Sequence, residues 1–145
     1  MKIKQILSGK SINTIYKTKS TDTVFDALQL MAEKNIGAVL VIDEGQLSGI
    51  FSERDYARKV ILQGRASKDT LVADVMTSKL ITIAPDDKIE AAMLIMSDKH
   101  IRHLPVIDKE ELIGIISIND VVSAIIHDQK NRISSLESYI SGSPY

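Results

Sequence analysis

Cysteine is absent from this 145-residue chain. That removes a disulfide framework, a thiol nucleophile and a thiolate metal site from consideration, and is compatible with a reducing cytoplasm. A surplus of positive charge is also missing, since 18 Lys and Arg stand against 19 Asp and Glu, giving a formal net charge of −1 with the signs interspersed. A non-specific nucleic-acid binder works by neutralising phosphates, and no basic stripe is available for it. No apolar run approaches membrane-spanning length, and the segment 1–12 is polar and too poor in apolar residues for a signal peptide. The expectation is a soluble, cytoplasmic protein with neither nucleic acid nor membrane as partner. Catalytic signatures are lacking as well. Neither a G-x-x-x-x-G-K-[ST] nor a G-x-G-x-x-G phosphate loop occurs, and no G-x-S-x-G elbow presents a nucleophile. With no assignable oxyanion hole, no enzymatic activity is expected. His100 and His103 have the spacing of a metal pair, but a helix-to-strand junction between them breaks the alignment and no third ligand is evident, so no metal site is expected.

What the chain does contain is a duplication. Gly49–Asp55 reads GIFSERD and Gly114–Asp120 reads GIISIND. Sliding the sequence by 65 positions also superposes Ala27 on Ala92, Met31 on Met96, Ile36 on Ile101, Val41-Ile42-Asp43 on Val106-Ile107-Asp108 and Leu47 on Leu112, without a gap. Two copies are too few for a solenoid, so a closed pair is expected. Within each copy an apolar pair after glycine suits the end of a buried strand, and serine followed three residues later by a carboxylate is a helix N-terminal signature. Each copy thus sets a hydroxyl, a carboxylate and unpaired backbone N–H groups at the mouth of a helix, where phosphates and ribose hydroxyls can be held.

Nearly the whole chain resembles a tandem pair of cystathionine β-synthase (CBS) domains, a module that binds adenine nucleotides in many regulatory proteins. The residues that carry the resemblance are GIFSERD and GIISIND, the strand His103–Asp108 (HLPVID) with its counterpart Ala38–Asp43 (AVLVID), and Val72–Thr77 (VADVMT). None of these is specific alone, but their recurrence in one order at one spacing is strong. The resemblance implies an α+β fold in which two β-α-β-β-α repeats pack sheet to sheet about a pseudo-twofold axis, leaving two related clefts. An adenine nucleotide (AMP, ADP, ATP or NAD(H)) would bind in one or both as a regulatory ligand, with no cofactor required. The alternative is a module that has lost its ligand and acts as a protein-interaction or dimerisation unit on a partner enzyme.

Along the chain, residues 1–64 are expected to form the first repeat with its lead-in, 65–71 a short polar linker, 72–128 the second repeat and 129–145 a helical tail. Ile3–Leu7 resembles Val72–Met76 and reads as a turn of helix, Ser8–Asn13 as a loop and Thr14–Thr18 as a strand. Ser20 or Thr21 is positioned to cap a helix running to Lys34, which Asn35-Ile36-Gly37 ends in glycine-assisted fashion. Ala38–Ile42 and Leu47–Phe51 read as a hairpin about Asp43–Gln46, and Ser52 opens a helix that ends near Gly64. In the second copy Leu80–Ala84 is the matching strand and Pro85-Asp86-Asp87 starts a helix. Ile89–Met96 is apolar at nearly every position, which suits burial on two sides and points to a homodimer through helical faces. The helix from Asn119 extends through Ile133, Leu136 and Ile140 towards Gly142 and Pro144, with a thin apolar stripe suited to clasping a partner subunit.

Ser52 with Asp55, and Ser117 with Asp120, carry two readings. One is a capping box worth roughly 1 kcal/mol. The other, implied by the resemblance, makes each aspartate an acceptor for ribose hydroxyls and each serine a neighbour of phosphate. Arg54 opposes the helix dipole in the first turn, with Arg58 four residues on, which fits either a nearby anion or plain exposure. By the resemblance, Arg54 can reach a nucleotide phosphate. The second copy has Asn119 in its place and must find positive charge elsewhere. Arg102 and His103 stand where related proteins often carry basic residues facing phosphates, whereas the first copy has Gly37 and Ala38, so the two sites are unequal. Lys17 and its counterpart Thr82 lie on strands that flank the cleft in the family. Ile36 and Ile101 are placed either to sandwich an adenine or simply to pack the core.

Overall fold

The computed structural model describes residues 1–9 and 15–140. The chain divides into two compact units, one of Thr14–Ile81 and the other of Met1–Asn13 together with Thr82–Tyr145. Each is a small sheet with helices, so the molecule is α+β as expected from the repeat. The loop assigned to Ser8–Asn13 falls largely outside the described residues, as do Thr14, Gly142 and Pro144.

In the first unit, strand β1 (Lys17–Thr18) runs parallel to β2 (Ala38–Asp43), which pairs antiparallel with β3 (Gln46–Ser52). Helix α2 (Val24–Lys34) turns Val24, Ala27 and Met31 inward at helical spacing, onto Val39, Val41 and Phe51. Its cap is Thr23, whose hydroxyl accepts the Asp26 N–H, rather than Ser20 or Thr21. The reason is a tight turn ahead of it. Asp22 accepts from the Thr18 hydroxyl and the Lys19 N–H, and the Ser20 N–H is taken by Asp43 at 3.0 Å, so the helix can begin only afterwards. At the other end Asn35, not Gly37, takes the left-handed conformation at φ 53°. Its N–H reaches the Ala32 carbonyl and the Ile36 N–H reaches that of Met31, a Schellman stop.

The hairpin turns on Glu44 and Gly45, both left-handed at φ 50° and 77°, as a two-residue turn of the twisted hairpin type requires. The second repeat makes the same turn with Lys109 and Glu110, at φ 49° and 69°. A side chain at that last position is strained where glycine is not. Glu110→Gly should therefore raise stability by about 0.5 kcal/mol after the added entropy of the unfolded chain, or about 1–2 °C in Tm. A lowered Tm would contradict this.

After β3 come α3 (Glu53–Asp55), a π-helical turn (Tyr56–Val60) and a 3₁₀ turn (Ile61–Gln63), closed by Gly64 at φ 70°. The 65–71 stretch holds a further 3₁₀ turn, Ser67–Asp69, and is tied to its own unit by the Val24 N–H on the Thr70 carbonyl at 2.8 Å. Helix α4 (Val72–Val75) then buries Val72 and Val75, and Thr77 exchanges both backbone hydrogen bonds with Ile50 at 2.8 and 2.9 Å.

Asp43 anchors this unit, accepting from the Ser20 N–H and, at 2.8 Å, from the Ser48 hydroxyl. The Ser20 N–H first and the Ser48 hydroxyl second hold its carboxyl below the usual carboxylate range. In the second unit, Asp86 is lowered by Lys4, which bonds and attracts it, and by the charge of Lys2. A depressed folded-state pKa means that the unfolded chain binds more protons in acid. The stabilisation is thus complete above the ordinary value near 4 and is lost as pH falls through the depressed one. Asp43→Asn should flatten the fall of Tm as pH drops below the ordinary carboxylate range; parallel curves for the variant and the parent would refute this assignment.

In the second unit β4 (His103–Asp108) and β5 (Glu111–Ser117) form a two-stranded sheet in the same register, with the same irregularity one pair past the glycine, as β2 and β3. The strand expected at Leu80–Ala84 is reduced to one parallel bridge between Ile83 and Val106. Pro105 on the facing strand has no N–H to give, whereas its counterpart Leu40 donates to the Tyr16 carbonyl at 3.3 Å; just beyond the bridge the Ala84 N–H is captured by the Asp87 carboxylate at 2.9 Å, as the Lys19 N–H is by Asp22. That captured turn also delays helix α5 to Ile89–Lys99, beyond the expected start at Pro85-Asp86-Asp87. Helix α5 buries Ile89, Ala92 and Met96 while Met93 and Leu94 remain exposed. Helix α6 spans Ile118–Ile140.

Helix α1 (Ile3–Gly9), the lead-in of the first repeat in chain order, is a member of this second unit. Its first turns bond to Pro85 and Asp87, and it buries Ile3, Ile6 and Leu7. The equivalent helix α4 belongs to the unit of the first repeat. Each sheet is therefore packed by the lead-in that precedes the other repeat, and the duplicated glycine explains how. A Cβ on Gly114 would lie 2.8 Å from Leu7 Cδ2; one on Gly49 would lie 2.8 Å from the Thr77 carbonyl oxygen and 2.9 Å from Met76 Sδ.

Candidate functional site

The two S-x-x-D segments form the helix starts read from the sequence, but the N–H groups of Ser52, Glu53 and Asp55, and of Ser117, Ile118 and Asp120, are paired within the protein rather than left open as expected. In the first unit Ser52 is the cap of α3: its Oγ accepts the Asp55 N–H at 3.2 Å, and Asp55 Oδ2 accepts the Ser52 N–H at 3.0 Å, a reciprocal capping box. The Ser52 hydroxyl lies 3.0 Å from the same Oδ2. In the second unit Asp120 Oδ2 accepts the Ser117 N–H at 2.8 Å and Ser117 Oγ accepts the Asp120 N–H at 3.1 Å. Both serines also sit opposite the first residue of the neighbouring strand, Ser52 beside Ala38 and Ser117 beside His103. One more bond closes each corner. The Glu53 N–H reaches the Gly37 carbonyl at 3.0 Å, and the Ile118 N–H reaches that of Arg102 at 2.8 Å. Ser117, Asp120, Arg102 and His103 thus share one corner at the start of α6, and Ser52, Asp55 and Gly37 share its counterpart.

At the first corner two further groups hold the aspartate. Asp55 is buried, and its second oxygen is occupied: Oδ1 lies 3.0 Å from Lys59 Nζ and accepts from the Thr77 hydroxyl at 3.1 Å. The counterpart of Lys59 in the second repeat is Ala124, so no lysine stands four residues beyond Asp120. Neither Lys59 nor Thr77 was among the residues expected at the site. Lys59 was legible as an aspartate–lysine pair at helical spacing. Thr77 closes VADVMT, but it is 22 residues from Asp55, and nothing local points across that distance.

The remaining expected residues are placed as follows. Arg54 and Asn119 are exposed in the first turns of their helices. Arg58 is exposed in the π-helical turn and lines an open depression of about 430 Å³ with Lys59, Gln63, Arg65, Asp74 and Val75. None of those neighbours is another expected site residue. Lys17 and Thr82 are exposed, each one residue before the positions, Thr18 and Ile83, that pair with Val41 and Val106. Ile36 and Ile101 are half-buried and send their N–H groups back to Met31 and Met96, both at helix stops, so the stop alone accounts for an apolar residue there. Among the described residues no group of three or more His, Cys, Asp or Glu is placed to hold a metal ion, and no helix is long and apolar enough to cross a membrane.

The CBS domain family model matches the chain twice, over residues 12–61 and 72–127. The chain belongs to the CBS-domain family. It is 46% identical over 140 residues to the mitochondrial CBS domain-containing protein CBSX3 of Arabidopsis thaliana, covering 92% of this chain and 68% of that one. A CBS-domain protein of Burkholderia ambifaria MC40-6, described as a putative signal-transduction protein, matches in structure with a TM-score of 0.86 and 48% identity, over 89% of this chain and 96% of that one. The CBS domain pair of protein MJ0100, solved with 5′-methylthioadenosine and S-adenosyl-L-methionine, has a TM-score of 0.76 at 24% identity, over 89% of this chain and 98% of that one. At that identity the likeness is one of CBS fold.

Proposed function

We propose that the chain is a non-enzymatic regulatory module that binds an adenine nucleotide, AMP, ADP, ATP or NAD(H), and that the corner of the second repeat is its principal holder. The observation that supports this most is the company Asp120 keeps: a carboxylate and a hydroxyl at the start of a 23-residue helix, joined through backbone bonds to Arg102 and His103. A nucleotide needs an acceptor for its ribose hydroxyls and basic side chains for its phosphates, and Asp120 with Arg102 and His103 brings both kinds of group to one corner. At the first corner Asp55 is already engaged by Lys59 and Thr77, so a ribose there must displace an ion pair. Arg54, Arg58 and Lys17 supply charge for phosphates of a second, weaker ligand, and Ile36, Ile101, Gly37, Thr82, Ser52 and Asn119 complete the contacts. That a CBS pair in MJ0100 accepts adenosine compounds supports the ligand class. No cofactor is required for folding.

For a ligand of about 23 heavy atoms at about 0.3 kcal/mol per atom, affinity is expected near 10 μM. The exposed Met93 and Leu94 on α5 support a homodimer through helical faces, acting on an effector protein. The test is a thermal-shift panel of AMP, ADP, ATP, NAD, NADH, GMP and S-adenosylmethionine on protein stripped of ligand. A ligand at a hundredfold excess over its Kd should stabilise by about 2.7 kcal/mol, roughly 5–10 °C. A flat panel on folded protein would instead favour a ligand-free interaction module.

A further inference from the structure

We propose that the distal half of α6 pairs with the same helix of a second copy as a parallel, two-stranded coiled coil. The helix leaves its unit early. Val121 is buried and Ala124, Ile125 and Asp128 are half-buried, but from Gln129 to Ile140 every residue except Ser138 is exposed. A protruding helix of about this length is marginal in water without a partner. Apart from Tyr139, its exposed large apolar residues are not scattered. Val122, Ile126, Ile133, Leu136 and Ile140, with Gln129 completing the series, recur at alternating spacings of four and three, and Ile133, Leu136 and Ile140 are 58%, 63% and 77% exposed. That is a heptad seam, with Ile126, Ile133 and Ile140 at the first core position and Val122, Gln129 and Leu136 at the second.

The seam says what covers it. A stripe repeating every seven residues matches another helix carrying the same repeat, since straight surfaces lose register with it. Isoleucine at all three first core positions, with leucine at the second position between Ile133 and Ile140, favours two parallel strands, and the polar Gln129 in the seam sets register at some cost in stability. The flanking charges agree. In a parallel pair Arg132 of one helix faces Glu137 of the other copy, and no like charges meet along the seam. Within its own helix Arg132 lies 3.3 Å from Asp128, so the exchange sets register more than strength.

The absence of cysteine makes the test direct, because an introduced thiol is the only one. Ile140→Cys, on the seam, should convert most of the protein to a disulfide-linked dimer under mild oxidation. Asn131→Cys, on the outer face, should give at least tenfold less, and Leu136→Glu added to Ile140→Cys should suppress the cross-link to that level. Ile133→Cys serves as a second seam position in case the helix end frays. No cross-link at either seam position, or equal cross-linking at Asn131→Cys, would overturn the proposal. A dimer mass alone would not support it, since other helical faces can also associate.

Discussion

Gly49→Ala is expected to destabilise the protein by roughly 3 kcal/mol, about 6–12 °C in Tm, at the upper end of what one added methyl group costs in a packed interior. The position looks permissive, because nothing about its backbone requires glycine. The obstruction is spatial: a Cβ would stand 2.8 Å from the Thr77 carbonyl oxygen, which accepts the Ile50 N–H while the Thr77 N–H donates to the Ile50 carbonyl, fixing the residue by two backbone hydrogen bonds. Relief means moving that short ladder, and Thr77 carries the hydroxyl that reaches Asp55. Gly114→Ala tests the reasoning from the other repeat. There the obstacle is the terminal Cδ2 of Leu7, which can rotate, so a loss of about 1 kcal/mol is expected. Urea unfolding of the two variants side by side decides the matter. Equal losses, or a larger one at Gly114, would show that the two lead-ins are not seated against Gly49 and Gly114 in this way.

Asp120→Ala is expected to weaken nucleotide binding by about 30- to 100-fold, which corresponds to losing charge-assisted hydrogen bonds of about 2–3 kcal/mol. Part of any structural cost can be separated out. The carboxylate also receives the Ser117 N–H, a capping bond worth about 1 kcal/mol of stability. Asp120→Asn keeps a carbonyl oxygen for that cap but loses the charge, so it should restore most of the Tm while leaving affinity low. If Asp120→Asn binds nucleotide as the parent does, the carboxylate is a cap only. At Asp55 the balance should invert, with a larger effect on stability than on affinity, because Lys59 and Thr77 would be left without their acceptor.

The parts of this fold that the sequence disclosed are those written in short range and written twice. The hairpins, the capping boxes and the family followed from residues no more than a few positions apart, repeated at an offset of 65. What was hidden depends on distant contacts. Leu80–Ala84 has the composition of a strand, yet Pro105 lacks the N–H that its counterpart Leu40 donates, and one bridge is left. Nothing in the spelling of Ile3–Leu7 says that it packs on the sheet of the second repeat; the glycine that admits Leu7 is more than a hundred residues away. The π-helical turn at Tyr56–Val60 has no sequence signal of the kind that marks caps or turns. At the corners, the serines and aspartates were legible as motif, while the engagement of Asp55 by Thr77 depended on how α4 is seated.

The most direct measurement is isothermal titration calorimetry of ligand-stripped protein with AMP, ATP and NADH in turn. The expected result is saturable binding of at least one of them near 10 μM, at about one nucleotide per chain. Absence of heat and of competition for all three, on protein shown to be folded, would contradict a nucleotide-binding module and leave the helical faces as the working part of the molecule.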